Sequence, residues 1–138
     1  MLTIILIILV SITLLGVIFV ILYTQLNKEP AAEPQKSIDE IVVSVVEVPE
    51  LTTNLSDGKF VRLAMKIETN SEDAAIELTK RDFQTNNIII QELSEMTVAD
   101  LEGKQGKTAF QNTIKAQLNE LMQDGEVEQV YITSYIIP

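Results

Sequence analysis

The sequence predicts an α+β protein: one apolar transmembrane helix followed by a small domain ordered β-β-α-α-β. Three observations carry the prediction. No charged side chain occurs in residues 1–27; β-branched and alternating segments open and close the remainder; segments of helical period fill the middle. Apolar residues number 20 of the first 26 but 44 of the remaining 112, so one chain is built for two solvents.

From Leu2 to Leu22 the apolar run is interrupted only by Thr3, Ser11, Thr13 and Gly16. A helix of that length spans about 31 Å, close to a hydrocarbon core of about 30 Å. The hydroxyls can bond to carbonyls of the preceding turn, so they do not oppose insertion. Tyr23 falls where an interfacial aromatic sits, and Lys28 begins the polar flank. We expect an anchor over residues 1–26 in membrane lipid, marked by Leu2, Ile8, Ile12, Gly16, Phe19, Leu22 and Tyr23. A cleaved signal peptide would start basic, be shorter and end in small residues; this segment ends Tyr-Thr-Gln-Leu. A lipoprotein signal needs a cysteine, and a pilin-like helix carries an early glutamate; neither is present. Lys28 and Lys36 are too few to fix the orientation by charge.

Residues 27–37 hold two prolines and no large apolar side chain, which predicts an extended linker before a domain over 38–138. In that domain Ile41–Val48 is β-branched and is expected to be a strand stopped by Pro49. Phe60–Glu68 alternates, with Val61, Leu63, Met65 and Ile67 on one side, and Ser56-Asp57-Gly58-Lys59 marks a hairpin turn. A third strand is expected over Val127–Ile137, with Val130, Ile132 and Ile136 opposing Tyr131, Thr133 and Tyr135.

Helical signals lie between. Asn70 or Ser71 can cap a start rich in acids, and Glu77 precedes Arg81 by four residues. A further helical stretch is expected over Asn87–Met96, and Thr97-Val98-Ala99-Asp100 has capping-box spacing. The strongest pattern covers Gly106–Gln123, where Phe110, Ile114, Leu118, Leu121 and Met122 form one stripe and Gly125 suits the residue after the end.

Composition excludes much chemistry. With no histidine and no cysteine, the chain has no thiolate nucleophile, no histidine base and no Cys/His metal site. Gly103 and Gly106 lack the strand and Gly-Lys-Ser/Thr of a phosphate loop, and no acidic run fits an EF-hand. Pairs such as Glu72/Asp73 and Glu126/Glu128 are expected on any surface with 20 acids. A net charge of −10 disfavours nucleic acid. No cofactor, metal, catalytic residue or small-molecule substrate is expected, and the protein is not expected to be an enzyme. What remains is interaction: Asn54, Lys59, Arg62, Lys66, Tyr131, Thr133 and Tyr135 are the candidate contact surface, with basic groups meeting acidic patches of adjacent copies.

A family resemblance runs through these residues. It is carried by Asn54-Leu55, Arg62-Leu63, Lys66-Ile67-Glu68, Arg81-Asp82, Ile88-Ile89-Ile90 and Leu93-Ser94. It continues through Asp100-Leu101 ahead of Gly106-Lys107, then Leu118-Asn119 and Val127-x-x-Val130-Tyr131-Ile132-Thr133-x-Tyr135-Ile136-Ile137. In order and spacing these resemble the FliL family of flagellar basal-body-associated membrane proteins. Members usually carry basic residues before the membrane helix, and here none precedes Lys28. The resemblance implies a single-pass protein of the bacterial cytoplasmic membrane with its C-terminal domain outside. It also implies a domain like that of stomatin-type (SPFH-like) scaffolds, which assemble side by side into rings. Expected partners are therefore copies of itself, the flagellar stator and basal-body proteins. The rival reading is an envelope scaffold unconnected to flagella.

Overall fold

A run of leucine, isoleucine and valine without charge can satisfy its backbone groups only internally, and it forms one helix, α1 (Leu2–Leu26). The computed structural model describes residues 1–26 and 35–138, in two units divided between Gln35 and Lys36. Over Leu2–Thr24, α1 is long and apolar enough to cross a membrane. The hydroxyls of Ser11, Thr13 and Thr24 donate to the carbonyls of Ile8, Val10 and Ile21 at 2.8, 2.8 and 3.0 Å, so the polar interruptions are neutralised within the helix. Phe19 and Tyr23, one turn apart, stack with centroids 6.3 Å apart. Most of the linker expected over 27–37 falls outside the described residues. Its end, however, is tied to the second unit: Lys36 Nζ donates to Glu128 Oε2 at 2.5 Å and to the Asn70 carbonyl at 3.3 Å.

The second unit opens on a helix whose second half, Ile41–Val43, the sequence reading assigned to a strand. Ile38–Val43 forms α2, not the start of β1. Its cause is a closed capping box: Ser37 Oγ accepts from Glu40 N while Glu40 Oε2 accepts from Ser37 N at 2.9 Å. Two satisfied end groups outweigh the β preference of Ile41, Val42 and Val43. The strand follows as β1 (Val45–Asn54), and Pro49 does not stop it. Val48 pairs with Met65 and Leu51 with Leu63, so Pro49 and Glu50 together oppose Ala64 in a bulge, where a missing N–H costs nothing.

β2 (Phe60–Thr69) is the central strand of an antiparallel sheet ordered β1-β2-β3, and β3 spans Val127–Ile136. Val61, Leu63, Met65 and Ile67 are buried, as alternation requires. On β3 the expected parity fails. Ala64 pairs with Ser134 and Met65 with Ile132, leaving Thr133 as an extra residue. Beyond that bulge the faces exchange: Tyr135 pairs with buried Leu63 and packs on the core, while Ile136 pairs with Arg62 and is exposed.

Three helices cover the inner face. α3 (Glu72–Lys80) is capped by Ser71, whose Oγ accepts from Ala74 N at 3.1 Å. α4 (Asp82–Glu95) starts five residues before the expected Asn87, directly after Arg81, and buries Thr85, Ile89 and Leu93. The Thr97–Asp100 box closes, with Asp100 Oδ2 accepting from both Thr97 N and Thr97 Oγ1 at 2.7 Å, but it heads only a 3-10 turn, Ala99–Leu101. α5 (Gly103–Leu121) buries Phe110, Ile114 and Leu118 at a spacing of four. The order of the unit is thus α-β-β-α-α-α-β, against the expected β-β-α-α-β: one helix more ahead of β1 and one more between β2 and β3. Gly125, at φ +83°, belongs to the turn into β3 and not to the end of α5.

Side chains of α5 also close the outer edge of β3. Gln111 Nε2 donates to the Val130 carbonyl at 2.6 Å and Lys115 Nζ to that of Glu128 at 2.8 Å. Asn119 accepts from Val127 N at 2.7 Å and returns a bond to its carbonyl at 3.1 Å. Residues 111, 115 and 119 stand one turn apart, so one helix face replaces a fourth strand along the first half of β3.

Carboxylates clamp the loops. Asp57 accepts from Lys59 N and, across the chain, from Val98 N, fixing the hairpin tip beside α4. Glu77 accepts from Arg81 Nε at 2.7 Å and from the backbone of Gln123 and Asp124, holding the turn into β3. The Val98 amide is the main cause that lowers the Asp57 pKa, and the Asp124 amide that of Glu77. Asp100 is lowered chiefly by the Thr97 amide. Groups depressed on folding contribute stability that is fully present above the ordinary carboxylate range of about 4 and lost as pH falls through the lowered folded values. Urea titrations of the full chain in detergent should therefore give a flat midpoint from neutral pH down to that range and a steep fall below it. Asp57→Asn combined with Glu77→Gln should flatten the fall; an unchanged acid limb would contradict the assignment.

Candidate interaction surface

Among the described residues α3, α4 and α5 pack on the inner face, and only α2 borders the outer face of the sheet, whose residues follow from the β2 alternation. Arg62 and Lys66 point outward and are exposed, flanked in register by Thr52 and Ile136, and by Glu47 and Tyr131. Lys59 lies exposed in the hairpin turn ahead of β2, and Asn54 pairs with Phe60 beside it. Of the candidate residues, Asn54, Arg62, Lys66, Tyr131 and Thr133 share this side of the domain, and Lys59 lies in the hairpin turn at its end.

Tyr135 does not. The bulge at Thr133 turns its ring to the helix side, where Lys107 Nζ lies 4.4 Å from the ring centroid. Lys107 Nζ also donates to the Leu101 carbonyl at 3.2 Å, so this contact joins β3 to the base of α5 and is structural. Partial burial, with the charge of Glu102, pushes the Tyr135 phenol up.

The basic row is only loosely paired. Arg62 Nε lies 3.6 Å from Glu50 Oε1 with both side chains half exposed, a pair worth little in water. Lys66 and Lys59 form no ion pair among the described residues. Tyr131 donates its hydroxyl to Glu68 Oε2 at 2.8 Å, and that bond is the main reason its phenol pKa is raised. Glu68 faces outward yet is nearly buried.

A groove of about 700 Å³ runs between α2 and the strands, with Val45, Tyr131 and Ile132 among its lining and Lys66 and Glu47 at its side. Sequence reasoning missed the α2 wall of this groove, Ile38 and Val42. Ser37-x-x-Glu40 was the available signal. The candidate anchor residues Leu2, Ile8, Ile12, Gly16, Phe19, Leu22 and Tyr23 all lie on α1. Among the described residues, no group of three or more Asp, Glu, His or Cys side chains is placed to hold a metal ion.

The family described as "Flagellar basal body-associated protein FliL" matches residues 45–137. The chain belongs to the FliL family. The match starts at the first residue of β1, so it takes in the sheet, α3, α4 and α5 and leaves out α1 and α2. The chain is 45% identical over 109 residues to "Flagellar protein FliL" of Bacillus subtilis (strain 168), covering 79% of this chain and 78% of that one. It is 21% identical over 107 residues to "Flagellar protein FliL" of Aquifex aeolicus (strain VF5), covering 75% and 66%. FliL membership supports a flagellar accessory role, and α1 fits a single-pass membrane protein.

Proposed function

We propose that the chain is a non-enzymatic scaffold of the flagellar motor. α1 anchors it in the cytoplasmic membrane, residues 27–37 act as a spacer, and residues 38–138 stand on the outer side. There the domain self-associates side by side, as stomatin-type domains do, around the ion-driven stator units. It binds the engaged stator more tightly than the free one and so shifts the population toward engagement. Binding energy does the work, and no bond is made or broken.

The observation that carries this reading, beside FliL membership, is the sheet face turned away from α3, α4 and α5. It sets Arg62 and Lys66 on one face of β2, with Lys59 in the adjoining hairpin turn, on a chain of net charge −10, a surface suited to acidic partners. The test is a deletion strain followed on soft agar and in viscous medium, complemented by the wild-type gene or by Arg62→Glu with Lys66→Glu. Deletion should reduce motility most under load; the wild type should restore it and the double variant should not, although it folds. Motility under load that survives deletion would refute the reading.

A further inference from the structure

We propose that a cleft between α4 and α5 is a docking site for a basic amphipathic helix of another protein. The partner sets a large apolar side chain against Phe83, Ile88 and Leu121 and a lysine or arginine on Glu120.

Phe83 is the residue that folding does not explain. It stands on the first turn of α4, 68% exposed, and takes no part in the core. A single exposed aromatic is ordinary, but this one borders a cleft of about 430 Å³. Half-buried Ile88 of α4 and Leu121 of α5 continue its apolar lining, and Glu120 is the one charged group among the lining residues. Apolar walls with a few placed polar groups are the usual make-up of a recognition site.

The walls are set before a partner arrives. At one end Arg81 donates through Nε to Glu77 and through Nη1 to Gln84 at 2.9 Å, while Glu77 also accepts from Gln123 N, just past α5. At the other end Gln117 Nε2 donates to Glu92 Oε2 at 3.0 Å, bridging α5 to α4. A cleft braced at both ends needs little ordering on binding.

Charge selects the occupant. Glu120 is exposed and forms no ion pair among the described residues. Arg81, just ahead of α4, is held by Glu77 and Gln84. The net charge of −10 draws basic partners in, and it repels both a second copy and an anionic lipid surface. An amphipathic helix meets the site in the helix-in-groove manner, its cation one turn from its apolar anchor. The cleft lies on the helix side of the sheet, so this contact is independent of the Arg62 and Lys66 face.

The test uses the full chain in phosphatidylcholine nanodiscs and two alanine-rich helical peptides. Each peptide carries one tryptophan and, four residues later, lysine in one and glutamate in the other. The chain has no tryptophan, so the peptide indole alone reports binding by its fluorescence. The lysine peptide should bind the wild type about tenfold more tightly than the glutamate peptide, and Glu120→Lys should reverse that order. Phe83→Ala should weaken the lysine peptide about tenfold with urea unfolding unchanged. No binding, equal binding of the two peptides, or binding that Phe83→Ala leaves intact would overturn the proposal. Loss of self-association in Phe83→Ala would give the cleft to a second copy and overturn it as well.

Discussion

Gly106→Ala is expected to destabilise the folded unit by about 3 kcal/mol, the upper part of the usual range for forced overpacking. The direction is opposite to that expected from helix propensity, since alanine in a helix is ordinarily favoured over glycine by about 1 kcal/mol. Gly106 lies in the first turns of α5, where the 3-10 turn crosses it. A Cβ there would run into the Asp100 carbonyl oxygen, with the carbonyl carbons of Asp100 and Leu101 at 3.0 Å. Those are backbone atoms and cannot rotate aside. The turn is also pinned, by Asp100 on Thr97, by Lys107 on the Leu101 carbonyl and by the burial of Leu101. α5 would have to lift, taking the Lys107–Tyr135 contact with it. Urea unfolding of the full chain measures the change; an alanine variant as stable as the wild type would show that α5 and the turn are not this close.

Phe110→Ala should cost about 3–5 kcal/mol. Its ring is 1% exposed in the core shared by the inner sheet face and α4, with Ile114 and Leu118 beyond it on α5. Truncation removes apolar contacts and leaves a void between rigid layers. Against a typical total of about 5–15 kcal/mol, the variant would be close to unfolding at 37 °C. Phe83→Ala is the matched control. Its ring, on the first turn of α4, is 68% exposed, and its loss should change stability by no more than about 0.5 kcal/mol. Equal losses for the two phenylalanines would refute the packing assignment.

Residue patterns reveal most where one physical term acts alone. β2 alternates in sequence and in burial, because one of its faces meets helices and the other meets water. α5 reads as clearly, from Phe110, Ile114 and Leu118. The misreadings occur where two terms compete. In Ile41–Val43 the β-branched side chains favour a strand, but a capping box at Ser37 and Glu40 imposes a helix turn. In β3 the composition is uniformly strand-like, so nothing in it marks Thr133 as the extra residue that exchanges Tyr135 and Ile136 between faces. The candidate surface inherited that error at Tyr135 alone. Its basic row was legible because Arg62 and Lys66 sit on the strand without a bulge of its own. The groove was not, because one of its walls is the misassigned helix.

The row of Gln111, Lys115 and Asn119 along β3 bears on behaviour in a crowded membrane patch. Chains held in one plane meet far more often than chains free in solution, and an open sheet edge would recruit its neighbours into runaway cross-β growth. Here helix side chains occupy the first half of one edge, the Thr133 bulge twists the rest, and Pro49 interrupts the opposite edge. Little open backbone is thus left along the sheet edges for a neighbouring strand to pair with.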